Sequence, residues 1–301
     1  ALPYALVGLT LALRPPTASA DRVGPVNAPV PPNILFIVDA SSSMGDCFLN
    51  EMKDTDGDNV GDTCRGGSKL GAVQRVLMDA VRSAPGARYA VAQTDPSSAY
   101  TGIGTRPAFL SSQATITRAG IMSPIGDPRW NFDSALASIT LNENDAASLA
   151  ESLRDGLLYL AKGIYGCTDT TLCADTPWDY SDCQENYIIV LTDGTSGGAY
   201  SVDNALYASF KPSITPDVNV TKNKDMDNIS YFLADSSRTS FLVGDIPVKT
   251  YVVGLDVTNY FDDQLFENVA YQAGTAYLEA DTVDSLKGAV STILNDITAG
   301  S

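Results

Sequence analysis

The sequence predicts an α/β domain built on a doubly wound, mostly parallel sheet flanked by helices. Three observations carry that prediction. Continuous apolar runs recur at 33–38, 187–191 and 248–255, the pattern of strands covered on both faces, where a half-exposed strand would alternate. Amphipathic helical periods lie between those runs, so strands and helices take turns along the chain. Polar residues close the first two runs, where an open α/β sheet presents its ligand-binding strand ends.

The first strand is Asn33-Ile34-Leu35-Phe36-Ile37-Val38, entered from a segment carrying Pro25, Pro29, Pro31 and Pro32. Residues 21–32 therefore read as an extended linker, and 33–301 as the folded domain. Ser68 is placed to cap a helix with Leu70, Val73, Leu77 and Val81 on one face. Asp145 is placed to cap another with Leu149, Leu153, Leu157 and Leu160. The second central strand is Tyr187 to Leu191, and the third runs from Val248 to Leu255. A helix at 262–272 and a last one through Leu286, Val290, Ile293 and Ile297 complete the alternation. Weaker strand signals lie at 88–94 and 275–280, while 97–143 and 196–245 are mixed and yield no definite elements. Residues 45–67 and 163–185 are Cys-containing and Asp-rich without periodicity, and read as insertions into the frame.

Composition narrows the function. The chain of 301 residues carries a formal charge of -17, which opposes nucleic acid or an anionic membrane as partner. It has no histidine, which removes Ser-His-Asp and Cys-His nucleophilic machinery and the commonest zinc ligand. No phosphate-cradling glycine loop follows a strand, and no general base is paired with a nucleophile. The expectation is a protein that is not an enzyme.

Residues 1–20 resemble the remnant of a secretory signal peptide: Ala5 to Leu13 are apolar, and Ala18-Ser19-Ala20 supplies small residues at a cleavage-like position. That run is too short to span a bilayer, so the expectation is an exported, extracellular or cell-surface protein without an integral membrane segment. Five cysteines in an exported chain favour disulfides. Cys47–Cys64 is the expected pair in the first insertion and Cys167–Cys173 the preferred one in the second, with the partner of Cys183 open.

The chemistry gathers after the strands. The first runs into Asp39-Ala40-Ser41-Ser42-Ser43-Met44, and the second into Thr192-Asp193-Gly194. A carboxylate and two hydroxyls at alternating positions, with a second carboxylate on the same sheet edge, form a hard-oxygen cluster suited to Mg²⁺ or a similar divalent ion. A second cluster lies in the first insertion, where Asp54, Asp56, Asp58 and Asp62 occupy relative positions one, three, five and nine. With a backbone carbonyl at Val60, that spacing lets a short loop wrap one Ca²⁺. It is similar to the calcium loops of thrombospondin type 3 repeats, and a Ca²⁺ there would rigidify the loop.

Asp39-x-Ser41-x-Ser43 after an apolar strand, with Leu191-Thr192-Asp193-Gly194 after a later one, resembles the metal-ion-dependent adhesion site of von Willebrand factor type A domains. The fold that resemblance implies is the von Willebrand factor A, or Rossmann-like, sheet. It implies Ser41 and Ser43 as direct ligands, Asp39 acting through water, Asp193 in the shell and one position open to a ligand carboxylate. The family also supplies a threonine before the Asp-Gly strand; Ala147 stands there if Leu149 matches the motif leucine, and Ser148 if the register slips by one. The segment 183–194, with Leu149 to Leu153 and Ala270 to Tyr277, is similar to the N-terminal domain of PilY-family type IV pilus tip adhesins. The likeness covers about residues 33–298 and implies attachment or assembly at a pilus tip. Its partners would be tip or minor pilin proteins, or a host or surface ligand. Members of that group normally continue into a C-terminal β-propeller. The alternatives are a structural pilus-assembly domain with a vestigial metal site and, from a different class, a metal-assisted hydrolase.

Overall fold

The computed structural model describes residues 30–53, 63–94, 121–123, 125, 129–141, 149, 152, 153, 156, 160, 185–194, 224–234 and 247–299. Its main sheet contains β1 (Asn33–Val38), β4 (Arg88–Gln93), β5 (Ile121–Ser123), β6 (Asn186–Thr192), β7 (Val248–Leu255) and β8 (Tyr277–Ala280). The spatial order is β5-β4-β1-β6-β7-β8. All neighbours are parallel except the edge pair β4–β5. Every residue of β1 and β6 is buried, as their unbroken apolar runs predict.

Alternation along the central strands divides the core. Leu35, Ile37, Ile188, Val190 and Val252 face one side, and Ile34, Phe36, Val38, Ile189, Leu191 and Val253 the other. The second side is covered by α1 (Lys69–Ser83), α2 (Arg129–Ser138) and α5 (Val283–Ala299). Leu70, Val73, Leu77 and Val81 are buried on α1, and Leu286, Val290, Ile293 and Ile297 on α5, matching both predicted periods. The first side is covered by α3 (Lys224–Leu233), α4 (Tyr260–Ala273) and a helical stretch seen at Leu149, Ser152, Leu153, Gly156 and Leu160. A Cβ added to Gly156 would lie 3.0 Å from Leu35 and 3.1 Å from Ile188, so its missing side chain lets this stretch settle close on the central strands.

Ser68 caps α1 as predicted, its hydroxyl accepting the Gly71 N–H at 3.1 Å. The predicted Asp145 cap, Leu157 and residues 1–29 lie outside the described residues. Among the described residues, no helix is long and apolar enough to cross a membrane.

The first insertion is built onto the sheet edge. Two short strands, β2 (Met52–Lys53) and β3 (Thr63–Cys64), pair antiparallel with Lys53 opposite Thr63. Cys64, the second residue of β3, forms the expected disulfide with Cys47. Three hydrogen bonds fix the insertion to the other half of the domain. The Leu49 N–H donates to Asp256 at 2.8 Å, the Asn50 amide to Asp281 at 3.0 Å, and Glu51 accepts the Val283 N–H at 2.8 Å. Glu51 thereby places a carboxylate at the N-terminus of α5, where the helix dipole favours one.

Candidate functional site

Sheet topology decides where the predicted ligands meet. From β1 the chain builds outward through β4 and β5 on one side, and β6, β7 and β8 continue on the other. The order therefore reverses between β1 and β6, and the crevice beyond their carboxyl ends is the place where an open α/β sheet binds ligands. Asp39 follows β1 and Asp193 follows β6. The Asp39 N–H donates to the Leu191 carbonyl at 2.9 Å, which carries the ladder one residue past β1.

All four predicted residues of the adhesion-type site come together there. Asp39 and Ser41 are completely buried. One Asp39 oxygen accepts the Ser41 N–H at 2.8 Å, and the other accepts the Thr192 hydroxyl at 2.7 Å. The Ser43 hydroxyl donates to Asp193 Oδ1 at 2.9 Å, and the Ser41 and Ser43 oxygens stand 3.1 Å apart. With the single Ser43 proton committed to Asp193, Ser41 must donate to Ser43. A continuous chain of oxygens thus runs from Ser41 through Ser43 to Asp193. The 3₁₀ turn Ser42–Gly45 presents it, since the Met44 N–H closes onto the Ser41 carbonyl at 3.1 Å.

Charge is managed unevenly at this edge. Burial pushes the Asp39 carboxyl up to about 6, and the nearby Asp193 charge adds to the rise. Hydrogen bonds from Thr192 and Ser41 oppose it without cancelling it. Asp193 is compensated directly: its second oxygen lies 3.0 Å from the Lys69 ammonium, with side-chain exposures of 3 % and 9 %.

Lys69 and Thr94 also belong to this cluster, though neither stands in a sequence motif. The Thr94 hydroxyl accepts the Ala40 N–H at 2.9 Å and lies 3.5 Å from Asp39 Oδ1. Its signal was its place at the end of a neighbouring strand, as β4 adjoins β1. Gly194 keeps the approach open: its φ is 142°, and an added Cβ would lie 3.2 Å from Asp262 Oδ2 at the start of α4.

The donor set fits a small divalent ion. Adjacent ligands on an octahedral ion of about 2.1 Å bond length are about 3 Å apart. The Ser41–Ser43 and Ser43–Asp193 separations are 3.1 and 2.9 Å. Among the described residues no group of three or more His, Cys, Asp or Glu side chains converges as an ion site; here two of the donors are hydroxyls. Asp54, Asp56, Asp58, Val60 and Asp62, with Ala147, Ser148, Cys167, Cys173 and Cys183, lie outside the described residues.

No protein-family model matches the chain, and no curated protein matches it in sequence. Solved structures match it in fold. The PilB minor pilin from Streptococcus sanguinis superposes with a TM-score of 0.50 at 14% identity, over 92% of this chain and 63% of that one. The vWF domain of the type V pili tip protein Mfa5 from Porphyromonas gingivalis gives 0.46 at 15% identity, over 91% and 97%. A von Willebrand factor type A protein from Catenulispora acidiphila gives 0.42 at 13%, over 88% and 42%. At these identities the likeness is one of fold. The mostly parallel sheet flanked by helices fits the von Willebrand factor A, or Rossmann-like, fold.

Proposed function

We propose that the chain is a von Willebrand factor type A adhesion or assembly module that holds a divalent ion at Asp39, Ser41, Ser43 and Asp193. The observation that carries this reading is the oxygen chain from Ser41 to Asp193, set at the switch point between β1 and β6. When bound, the ion would supply a Lewis-acidic point for a partner's carboxylate. The protein's own residues do the rest. Ser41 and Ser43 offer neutral oxygens, Asp193 offers charge, and Asp39 orients the loop through the Ser41 N–H. The buried sheet end strengthens each electrostatic contact.

The partner class follows from the sequence resemblance to PilY-like pilus tip adhesins: a tip or minor pilin protein, or a surface ligand, met outside the cell. The function is binding without turnover. Ca²⁺ in the 54–62 loop is part of the same proposal. It is supported by the closure of that segment at its base through the Lys53–Thr63 pairing and the Cys47–Cys64 disulfide. A second reading, a structural assembly domain with a vestigial ion site, is favoured by the Lys69–Asp193 ion pair, which neutralises Asp193 without a metal.

A carboxylated dextran surface separates the two readings. A chain of charge -17 is repelled by such a surface unless an ion bridges to it. Retention in Mg²⁺ is expected, lost in EDTA and in the Ser41→Ala/Ser43→Ala variant. Retention that is the same in Mg²⁺ and in EDTA, including none in either, would overturn ion-dependent capture.

A further inference from the structure

We infer that Lys69 is a tethered cation that competes with the divalent ion for Asp193 and sets the ion affinity of the site. The inference rests on the ion-binding reading above and specifies how that site is controlled.

Lys69 is the first residue of α1, held by two contacts. Its N–H donates to the Asp46 carbonyl at 2.9 Å, and the preceding Ser68 caps the helix. The Asp46 N–H in turn donates to the Ser43 carbonyl at 3.0 Å. These two backbone hydrogen bonds therefore tie the turn that carries the Ser43 hydroxyl to the start of the helix that carries the lysine. A lysine in the first turn of a helix works against the helix dipole and gains nothing locally. This one is also drawn out of water, with its side chain 9 % exposed. What compensates it is Asp193: one carboxylate oxygen accepts from the ammonium at 3.0 Å while the other accepts from Ser43 at 2.9 Å.

Two cations cannot share that carboxylate cheaply. A divalent ion seated among Ser41, Ser43 and Asp193 would stand within a few ångströms of the ammonium in a poorly screened pocket, where like charges repel strongly. The ion must displace Lys69 from Asp193 or bind against its field. Without the ion, the ammonium offsets the Asp193 charge and leaves the oxygen chain intact. Lys69 thus keeps the ion-free site assembled and raises the ion concentration needed to load it. A buried ion pair with a purely structural role would leave ion affinity unchanged when the lysine is neutralised.

Mn²⁺ titration followed by the electron paramagnetic resonance of the free ion reads affinity directly. The proteins compared are wild type, Lys69→Met and Lys69→Gln, with Ser41→Ala/Ser43→Ala defining Mn²⁺ bound elsewhere and thermal melting checking that each is folded. Glutamine keeps a neutral donor to Asp193, so the comparison survives if methionine impairs folding. Both Lys69 variants are expected to bind the serine-dependent Mn²⁺ at least about tenfold more tightly than wild type. Equal serine-dependent affinity in wild type and both variants would overturn the competition and leave the ion site standing. Absence of serine-dependent binding in all three would overturn the ion site, and the inference with it.

Discussion

Replacing Asp193 by alanine is expected to destabilise the ion-free protein by about 3–5 kcal/mol, the cost of leaving one member of a buried ion pair without its partner. The Lys69 side chain is 9 % exposed and its ammonium lies 3.0 Å from Asp193, so truncation strands a charge that water reaches poorly. The same change removes the acceptor of the Ser43 hydroxyl, which adds a smaller penalty. The loss belongs to the stranded charge, because replacing both partners by apolar groups of similar size is often neutral or stabilising. Lys69→Met/Asp193→Leu should therefore recover most of the stability. Urea denaturation in EDTA measures both. A single-variant cost below about 1 kcal/mol, the range of an exposed pair, would mean that the ammonium is solvated in solution.

The second large effect concerns Asp39. Its carboxyl ionises near 3.8 in the unfolded chain and is pushed up to about 6 in the folded one by burial. Between those values the folded state binds more protons than the unfolded state, so stability falls as pH rises through that window. Above it the wild type carries a penalty of about 3 kcal/mol, from roughly two pKa units at about 1.4 kcal/mol each. Asp39→Asn keeps an oxygen for the Ser41 N–H and removes the titration. In EDTA the variant should match wild type near pH 4 and exceed it by up to that amount near pH 7. Subtracting the variant's pH profile from that of wild type isolates Asp39 from the other carboxylates. Saturating Mg²⁺ should reverse the order, since the ion stabilises the charged carboxylate and has no purchase on the amide. A difference that does not change between pH 4 and 7 would mean that burial does not raise the Asp39 carboxyl in the folded protein.

The parts of this molecule that were legible in the sequence share a physical cause. Strands covered on both faces must be apolar throughout, so β1, β6 and β7 announced themselves. Once two of them end in Asp39 and Asp193, a parallel sheet brings the carboxylates to one edge. The helices α1 and α5 were legible because each buries a full stripe. The elements within 97–143 and 196–245 were not. The edge strand β5 is three residues long, too short for any period. The helix α2 buries Phe132, Ala135 and Leu136 while leaving Trp130 exposed, a sparse and misleading pattern. Lys69 was hidden because its partner lies 124 residues away, and no spacing rule links them. Its clue was electrostatic: a cation at a helix N-terminus needs a reason. Thr192 was read as part of a motif, but its hydroxyl, donating to Asp39 across the β1–β6 pair, shows how the two strand ends are locked together.

Crystals grown without divalent ions and soaked in Mn²⁺, with anomalous data collected at the manganese edge, would place an ion at the β1–β6 strand ends or show that none binds there. An anomalous peak is expected within coordination distance of the Ser41 and Ser43 hydroxyls, with the Lys69 ammonium drawn away from Asp193. No peak at that position under saturating Mn²⁺, with the Lys69–Asp193 pair still closed, would contradict ion binding at this site.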